Sequence, residues 1–424
     1  MILPILRNTW PVFLGIAFLQ LGSGLQGTLT GWRATYEGFT AITTGWIMTS
    51  YYVGFMAGSI FSPFLVRGVG HVRVFAALAS LASSAVLIQI LLVSPPVWLA
   101  MRLISGFCFA GVFVVVESWL NARSDNITRG RILSFYMLIA YLAMAGGQWL
   151  LKLADPTGMI LFIVSSILLS LALIPVLISR IHAPEIEIHQ EVGVFRLISL
   201  SPAGALTIVF SSMATGAMFG MGAVYAIKAG MDLAQTALFM SVFILLGSIA
   251  QWPIGWLSDR FDRRRVILLS SLLAGIACLL MTGLMIDLPI AVFYTLWGLV
   301  GAMTLPMYSL AVAHTNDRLL PEQMIGASSS IVMLFGAGSV LGPIAAGYLL
   351  DHFGLEGFFV HLTLTHLLIS GSVFYFMLQK PPVAEEQTTS FHSVPPRPTL
   401  VTMEALAQEA EESQTHEQEL KSAL

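Results

Sequence analysis

Two side chains that ionise, Arg102 and Glu117, stand inside one long apolar run. At about 1.5 Å per residue along a helix they are roughly 22 Å apart, too far to pair, so each needs its own partner. In an apolar setting such a residue is costly and marks a polar path or a buried pair. Arg102 has two open roles, binding an anionic ligand group or structural hydrogen bonding. His361 and His366 are the other ionisable residues well inside apolar runs, and they read as packing or interfacial groups. These four have no metal-like spacing such as His-Glu-x-x-His, and no phosphate loop of the Gly-x-x-x-x-Gly-Lys-Ser/Thr type is present. The sequence therefore argues against an intramembrane enzyme and against direct ATP drive. No catalytic residue, metal or cofactor is expected.

A second group is polar without charge. Gln20, Ser23, Gln26 and Thr30 recur at helical spacing in the first apolar run, and a polar line on one face needs a wet or polar neighbour. A third is a charged turn, Gly255-Trp-Leu-Ser-Asp259-Arg260-Phe-Asp262-Arg263-Arg264-Arg265. There Gly255 would let two helices approach closely, and Asp259 at a helix end can accept hydrogen bonds and pair with cations.

The elements that must position these groups follow from composition. Hydrophobic residues are 56% of 424, charged residues only 10%, and mean hydropathy is +0.83. A soluble fold carries about 25% charged residues, so this chain is expected to face lipid. The net charge of −3 gives no electrostatic case for nucleic acid. Cys108 and Cys278 both lie in apolar runs and read as small core residues. A membrane-spanning helix needs about 20 apolar residues. Such runs occur at 11–31, 43–65, 73–94, 97–119, 132–153, 158–180, 203–225, 233–257, 266–286, 289–313, 326–350 and 356–378. The first is expected to be a retained helix rather than a cleaved leader. With both termini inside, sixteen of the 20 Lys and Arg fall on the cytoplasmic side and only Arg33, Lys152 and Lys228 outside.

The expected organisation is an all-α membrane protein of two six-helix bundles, residues 1–179 and 202–380. A cytoplasmic connector (180–201) joins them, and a disordered acidic cytoplasmic tail (381–424) follows. The halves echo one another. A shift of 192 places Arg73, Gly106 and Asp125 on Arg265, Gly298 and Asp317, and a shift of 196 places Gly146 on Gly342. A parallel repeat predicts such a period.

The turn at Gly255–Arg265 resembles the cytoplasmic-loop signature of the major facilitator superfamily, Gly-x-x-x-Asp-Arg-x-Gly-Arg-Arg, with Asp262 in place of a glycine. The corresponding first-half loop keeps Gly70 and Arg73 but has Arg67 where the signature has Asp. Glu117 with Arg129-Gly-Arg131 resembles another superfamily arrangement. Gly27-Thr28-Leu29, Arg33, Glu37-Gly38-Phe39, Val114–Trp119 and Gln251–Gly255 are similar to the YcaD-like bacterial group.

The resemblance implies a secondary transporter of a small solute working by alternating access and driven by a proton or other ion gradient. It further implies a monomer in the bacterial inner membrane. The alternatives are a non-transporting sensor on the same scaffold and an efflux antiporter. The first, fourth, seventh and tenth spans would line the cavity, adding Ser211, Thr215, Tyr225, Tyr294, Trp297, Thr304 and Tyr308 to the candidates. Glu117 would act as an inner latch through Arg131, Arg67 or Arg73, as a proton carrier, or be solvated at the membrane edge. Gly255, Asp259, Arg260 and Arg263 would form the second-half latch.

Overall fold

A computed structural model of the chain describes residues 2–122, 129–178, 192–284, 289–379, 381, 388–395 and 397–422. Among them there are helices and no strands. Five helices lead, α1 (Ile2–Tyr36), α2 (Ala41–Val69), α3 (His71–Leu91), α4 (Pro95–Ala122) and α5 (Arg129–Trp149). The sixth span is broken into α6 (Ile160–Leu171) and α7 (Leu173–Ile178), and the short α8 (Val194–Leu200) precedes the second half. That half comprises α9 (Pro202–Lys228), α10 (Leu233–Arg260), α11 (Arg263–Leu284), α12 (Ile290–Asn316), α13 (Pro321–Phe353) and α14 (Glu356–Gln379). Twelve helices among the described residues are long and apolar enough to cross a membrane.

Local chemistry sets the helix ends. The Thr40 hydroxyl accepts from Thr43 N at the start of α2, and a reciprocal Asp232–Gln235 capping box opens α10. Gly70 and Gly354, at φ of 94° and 64°, turn the chain where other residues would be strained.

The repeat is visible in who packs against whom. In the first half α1 lies along α5, α2 along α4 and α3 along α6; in the second α9 lies along α13, α10 along α12 and α11 along α14. Glycines permit these crossings at equivalent places. A β-carbon added at Gly54 or Gly106 would collide with the facing backbone of α4 or α2, and one at Gly247 or Gly301 would do so between α10 and α12. Gly147 against Leu21 and Gly342 against Met213 form a second matched pair. The structural counterparts are therefore Gly106 with Gly301 and Gly147 with Gly342. The sequence shifts had aligned Gly298 and Gly146 instead, because a few residues of length difference are invisible in apolar sequence.

The two halves meet through α1–α9, α2–α13 and α5–α10. At the face away from the Arg263 turn this seam is tight. Both carboxylate oxygens of Asp351 cap α2, accepting from Ala41 N (3.0 Å) and Ile42 N (2.8 Å). Thr49 donates to Val340 O at 2.8 Å, and Ser241 to Ala145 O at 3.1 Å. At the Arg263 face the halves part, and the last segment of the chain fills the gap.

The tail corrects the expected disordered chain. Thr389, Val394, Arg397 and Thr399 are buried, and α15 (Leu400–Ser422) packs on α13, α4 and α5. Its polarity suggested solvation, yet Met403, Leu406 and Ala410 lie buried in one apolar cluster with Tyr308, Ile331 and Phe335. The composition is polar on average, but the apolar side chains fall on one helix face. Residues 382–387, 396 and 423–424, and most of the expected 180–201 connector, lie outside the described residues.

Candidate functional site

In the first half of α2, Tyr51 is the hub on which Ser23, Arg102 and Arg397 converge. Its position follows from packing: α2 crosses α4 at Gly54 and Gly106, which pins the preceding turn and presents Tyr51 toward α1 and α4. The Arg102 guanidinium of α4 lies 4.4 Å from the Tyr51 ring centroid, and its Nη2 is 3.9 Å from Met48 Sδ. Arg102 is 5% exposed, its Nε has no hydrogen-bond partner, and no carboxylate among the described residues reaches it for an ion pair. Ser23 of α1 faces the same point, and both hydroxyls accept from Nη1 of Arg397, at 2.6 Å (Ser23) and 2.9 Å (Tyr51). The Arg397 guanidinium also lies 4.9 Å from the Tyr51 centroid and 6.0 Å from that of Phe219 on α9.

Nearer the Arg263 face, Glu117 is 1% exposed. Tyr136 of α5 donates to its Oε1 at 2.9 Å, and the Thr399 hydroxyl donates to its Oε2. The expected pairing with Arg67 or Arg73 is not what forms. Glu117 points inward, whereas Arg67 and Arg73 end on the exposed rim of α2 and α3. The Arg131 side chain lies outside the described residues.

The second-half turn forms a charge cluster. Arg263 reaches both oxygens of Asp317 with Nη1 (2.9 Å each) and Asp259 with Nη2 (3.0 Å). Thr389 completes it, accepting from Arg263 Nη2 through its carbonyl (2.6 Å) and donating from its N to Asp317 (2.8 Å). Burial raises the Asp317 pKa above its ordinary value, against the opposing pull of Arg263. Asp262, in the place of the signature glycine, caps α11 instead, accepting from Arg264 N at 3.0 Å and Nη2 at 2.8 Å. Burial works to raise its pKa, but the Arg264 hydrogen bonds win and hold it below the usual value. Gly255 does not serve a helix–helix contact as expected: a side chain there would collide with the Phe391 ring of the tail. Arg260 stacks on Trp256, 4.1 Å from its ring centroid. A cavity of about 430 Å³ opens here, lined by Ser134, Tyr141, Gln251, Trp252, Asp259 and Phe391.

The other candidates scatter. Gln20 Oε1 and Gln26 Nε2 are buried without partners, while Thr30 donates to Gln26 O at 2.7 Å. Ser211 and Thr215 donate to backbone carbonyls of their own helix, at 3.2 Å (Ile208 O) and 3.0 Å (Ser211 O). Tyr225 stacks on Phe358 and Trp297 on Phe239, inside the second half. Trp297 Nε1 donates to Phe239 O (2.7 Å), and Tyr294 donates to Gln235 O (3.3 Å). Thr304 meets His366 Nε2 at 3.0 Å, away from the cavity. Tyr308 meets the tail instead, its hydroxyl 3.7 Å from Met403 Sδ. Each helix supplied polar atoms, but local backbone or bundle partners had already satisfied most of them. Sequence reasoning passed over Tyr51, Tyr136 and Tyr141, and the tail residues Thr389, Arg397 and Thr399, as site residues, and it named Gln251 only within a family motif. Tyrosines in an aromatic-rich span carry no spacing signal.

A family model described as Major Facilitator Superfamily matches residues 204–408. The chain is 27% identical over 355 residues to the MFS-type transporter YcaD of Escherichia fergusonii, covering 81% of this chain and 90% of that one. It is 26% identical over 383 residues to an MFS-type transporter of Enterobacter sp., covering 89% and 97%. Among solved structures, a mutant of the nucleoside transporter NupG superposes with a TM-score of 0.72 at 14% identity, over 88% of this chain and 99% of that one. A bacterial homologue of the human lysosomal transporter Spinster, inward-facing and occupied, gives 0.70 at 12% identity, over 90% and 98%.

Proposed function

The chain belongs to the major facilitator superfamily of secondary transporters, and from that premise we propose that it moves a small anionic solute through the space around Tyr51. One observation carries this reading: Arg102, buried about two turns into α4 beside Tyr51, has no carboxylate within ion-pairing distance among the described residues. A guanidinium left so is expensive, and an anionic group arriving from solution would supply the missing charge. The tight seam at one face and the parted halves at the other match one end state of an alternating-access cycle. The parted face, with both termini, the 180–201 connector and the tail, is cytoplasmic in this proposal, and a proton or other ion gradient drives a monomer in the bacterial inner membrane. The named relatives and solved neighbours are transporters rather than enzymes, which favours transport over sensing.

The test is a thermal-stabilisation screen of purified protein with carboxylates, phosphates, neutral solutes and amines, because a ligand stabilises the state it binds. Arg397 shares the site, so Arg102→Met is compared with Arg102 in chains ending at residue 387. Anionic compounds should stabilise the Arg102 chain and lose that effect in Arg102→Met. Stabilisation by amines or neutral solutes alone, unchanged in Arg102→Met, would overturn the anionic reading.

A further inference from the structure

We propose that residues 389–395 and 397–411 are a tethered occupant of the space between the two halves, an autoinhibitory plug that must leave before solute can enter or the halves can close at this face. The inference rests on reading the cavity as the solute path.

The segment runs in and back like a hairpin, and the cavity wall meets it at every level. At the rim Thr389 joins Arg263 and Asp317, and Phe391 N donates to Asp259 Oδ1 at 2.9 Å while its ring fills the notch left by Gly255. Deeper, Val394 N donates to Ser309 Oγ at 3.0 Å, and Tyr141 reaches Val394 O at 3.5 Å. Arg397 is the tip, at Ser23 and Tyr51. Pro395 and Pro398 lie close on either side of it, which stiffens the bend and disfavours a helix before Leu400. On the way out Thr399 meets Glu117, and α15 seals the cavity with Met403, Leu406 and Ala410 against Tyr308, Ile331 and Phe335. His392 Nδ1 of one limb lies 3.6 Å from a Glu409 carboxylate oxygen of the other.

Two features mark the segment as a removable occupant. It wedges α13 of one half apart from α4 and α5 of the other, so the halves cannot approach here while it stays. Its tip is also poorly compensated. Arg397 is 8% exposed, its Nε has no partner, and it lies beside a second unpaired cation, Arg102, with no carboxylate within ion-pairing distance among the described residues. The apolar face of α15 and the rim contacts hold the plug, while its charge opposes it. An anionic solute would favour release, because it neutralises Arg102 in the place where Arg397 now sits.

The experiment uses a fluorescent synthetic peptide of residues 388–412, the purified full chain and the chain ending at residue 387. The shortened chain should bind the peptide saturably. A Leu406→Glu peptide should bind at least tenfold more weakly, and the full chain, already filled, should not bind. As a second readout in the full chain, Ser23→Cys is labelled with a membrane-impermeant maleimide. Leu406→Glu should speed that labelling at least tenfold. Absence of peptide binding with no change in labelling, or equal binding to both chains, would overturn the plug.

Discussion

The guanidinium groups of Arg102 and Arg397 share one aromatic ring, that of Tyr51, at 4.4 and 4.9 Å from its centroid. The two charges are therefore within about 9 Å of each other, where like charges repel by about 2 kcal/mol at an effective dielectric constant of about 20. The ring face returns about 0.5–2 kcal/mol to each. Removing Arg102 should thus tighten the tail, since Arg102 makes no bond to it. Arg102→Met is expected to raise the affinity of the 388–412 peptide about tenfold in the shortened chain, read by fluorescence anisotropy. Weaker binding in this variant would show that the two cations do not oppose each other.

Asp317 and Asp259 share Arg263 but differ in exposure, their side chains being 2% and 39% exposed. Asp317→Ala strands a buried guanidinium, and the expected loss is about 3–5 kcal/mol. Asp259→Asn removes one half-exposed ion pair and should cost less than about 1 kcal/mol. Thermal unfolding of the two variants tests the ranking. In exchange assays Asp259→Asn should slow solute turnover by more than its small stability loss explains.

Glu117 holds Thr399 through a buried hydrogen bond, worth about 1 kcal/mol. Glu117→Gln should weaken peptide docking about fivefold, equivalent to about 1 kcal/mol. The pH profile of solute uptake should be unchanged. A lost pH dependence with unaltered docking would instead identify Glu117 as a proton carrier.

Asp262 gives an acid-side signature. Its pKa is lowered from the ordinary 3.8, so its contribution is present above that value and lost as pH falls through the folded-state pKa. Asp262→Asn keeps the cap on α11 but loses the Arg264 pair. The variant should be less stable than the parent at pH 6, and the difference should vanish in strong acid. A deficit independent of pH would assign the loss to capping geometry alone.

The twelve spans were legible because a bilayer leaves little choice: about 20 apolar residues are required each time. The turn at Asp259–Arg265 was legible because its charges interrupt that pattern. The cavity was only partly legible. Ser23 lay on a polar stripe and does face the space, but Trp297 and Thr304 showed the same polarity and turned out to be bonded to Phe239 O and His366. Sequence spacing reports that a polar atom exists and not whether a neighbour already satisfies it. The tail was least legible. Arg397 and Thr399 are buried only because Ser23, Tyr51 and Glu117, hundreds of residues earlier, offer them partners, and no local pattern encodes that pairing.

Alternating access around Tyr51 is tested most directly by a single cysteine at Ser23. The chain ends at residue 387, Cys108 and Cys278 are replaced by serine, and vesicles of both orientations are treated with a membrane-impermeant maleimide. The account predicts labelling from either face. It also predicts that cross-linking cysteines placed at Thr49 and Val340, across the closed seam, abolishes labelling from that face and leaves the other intact. Labelling confined to one face with or without the cross-link would contradict it.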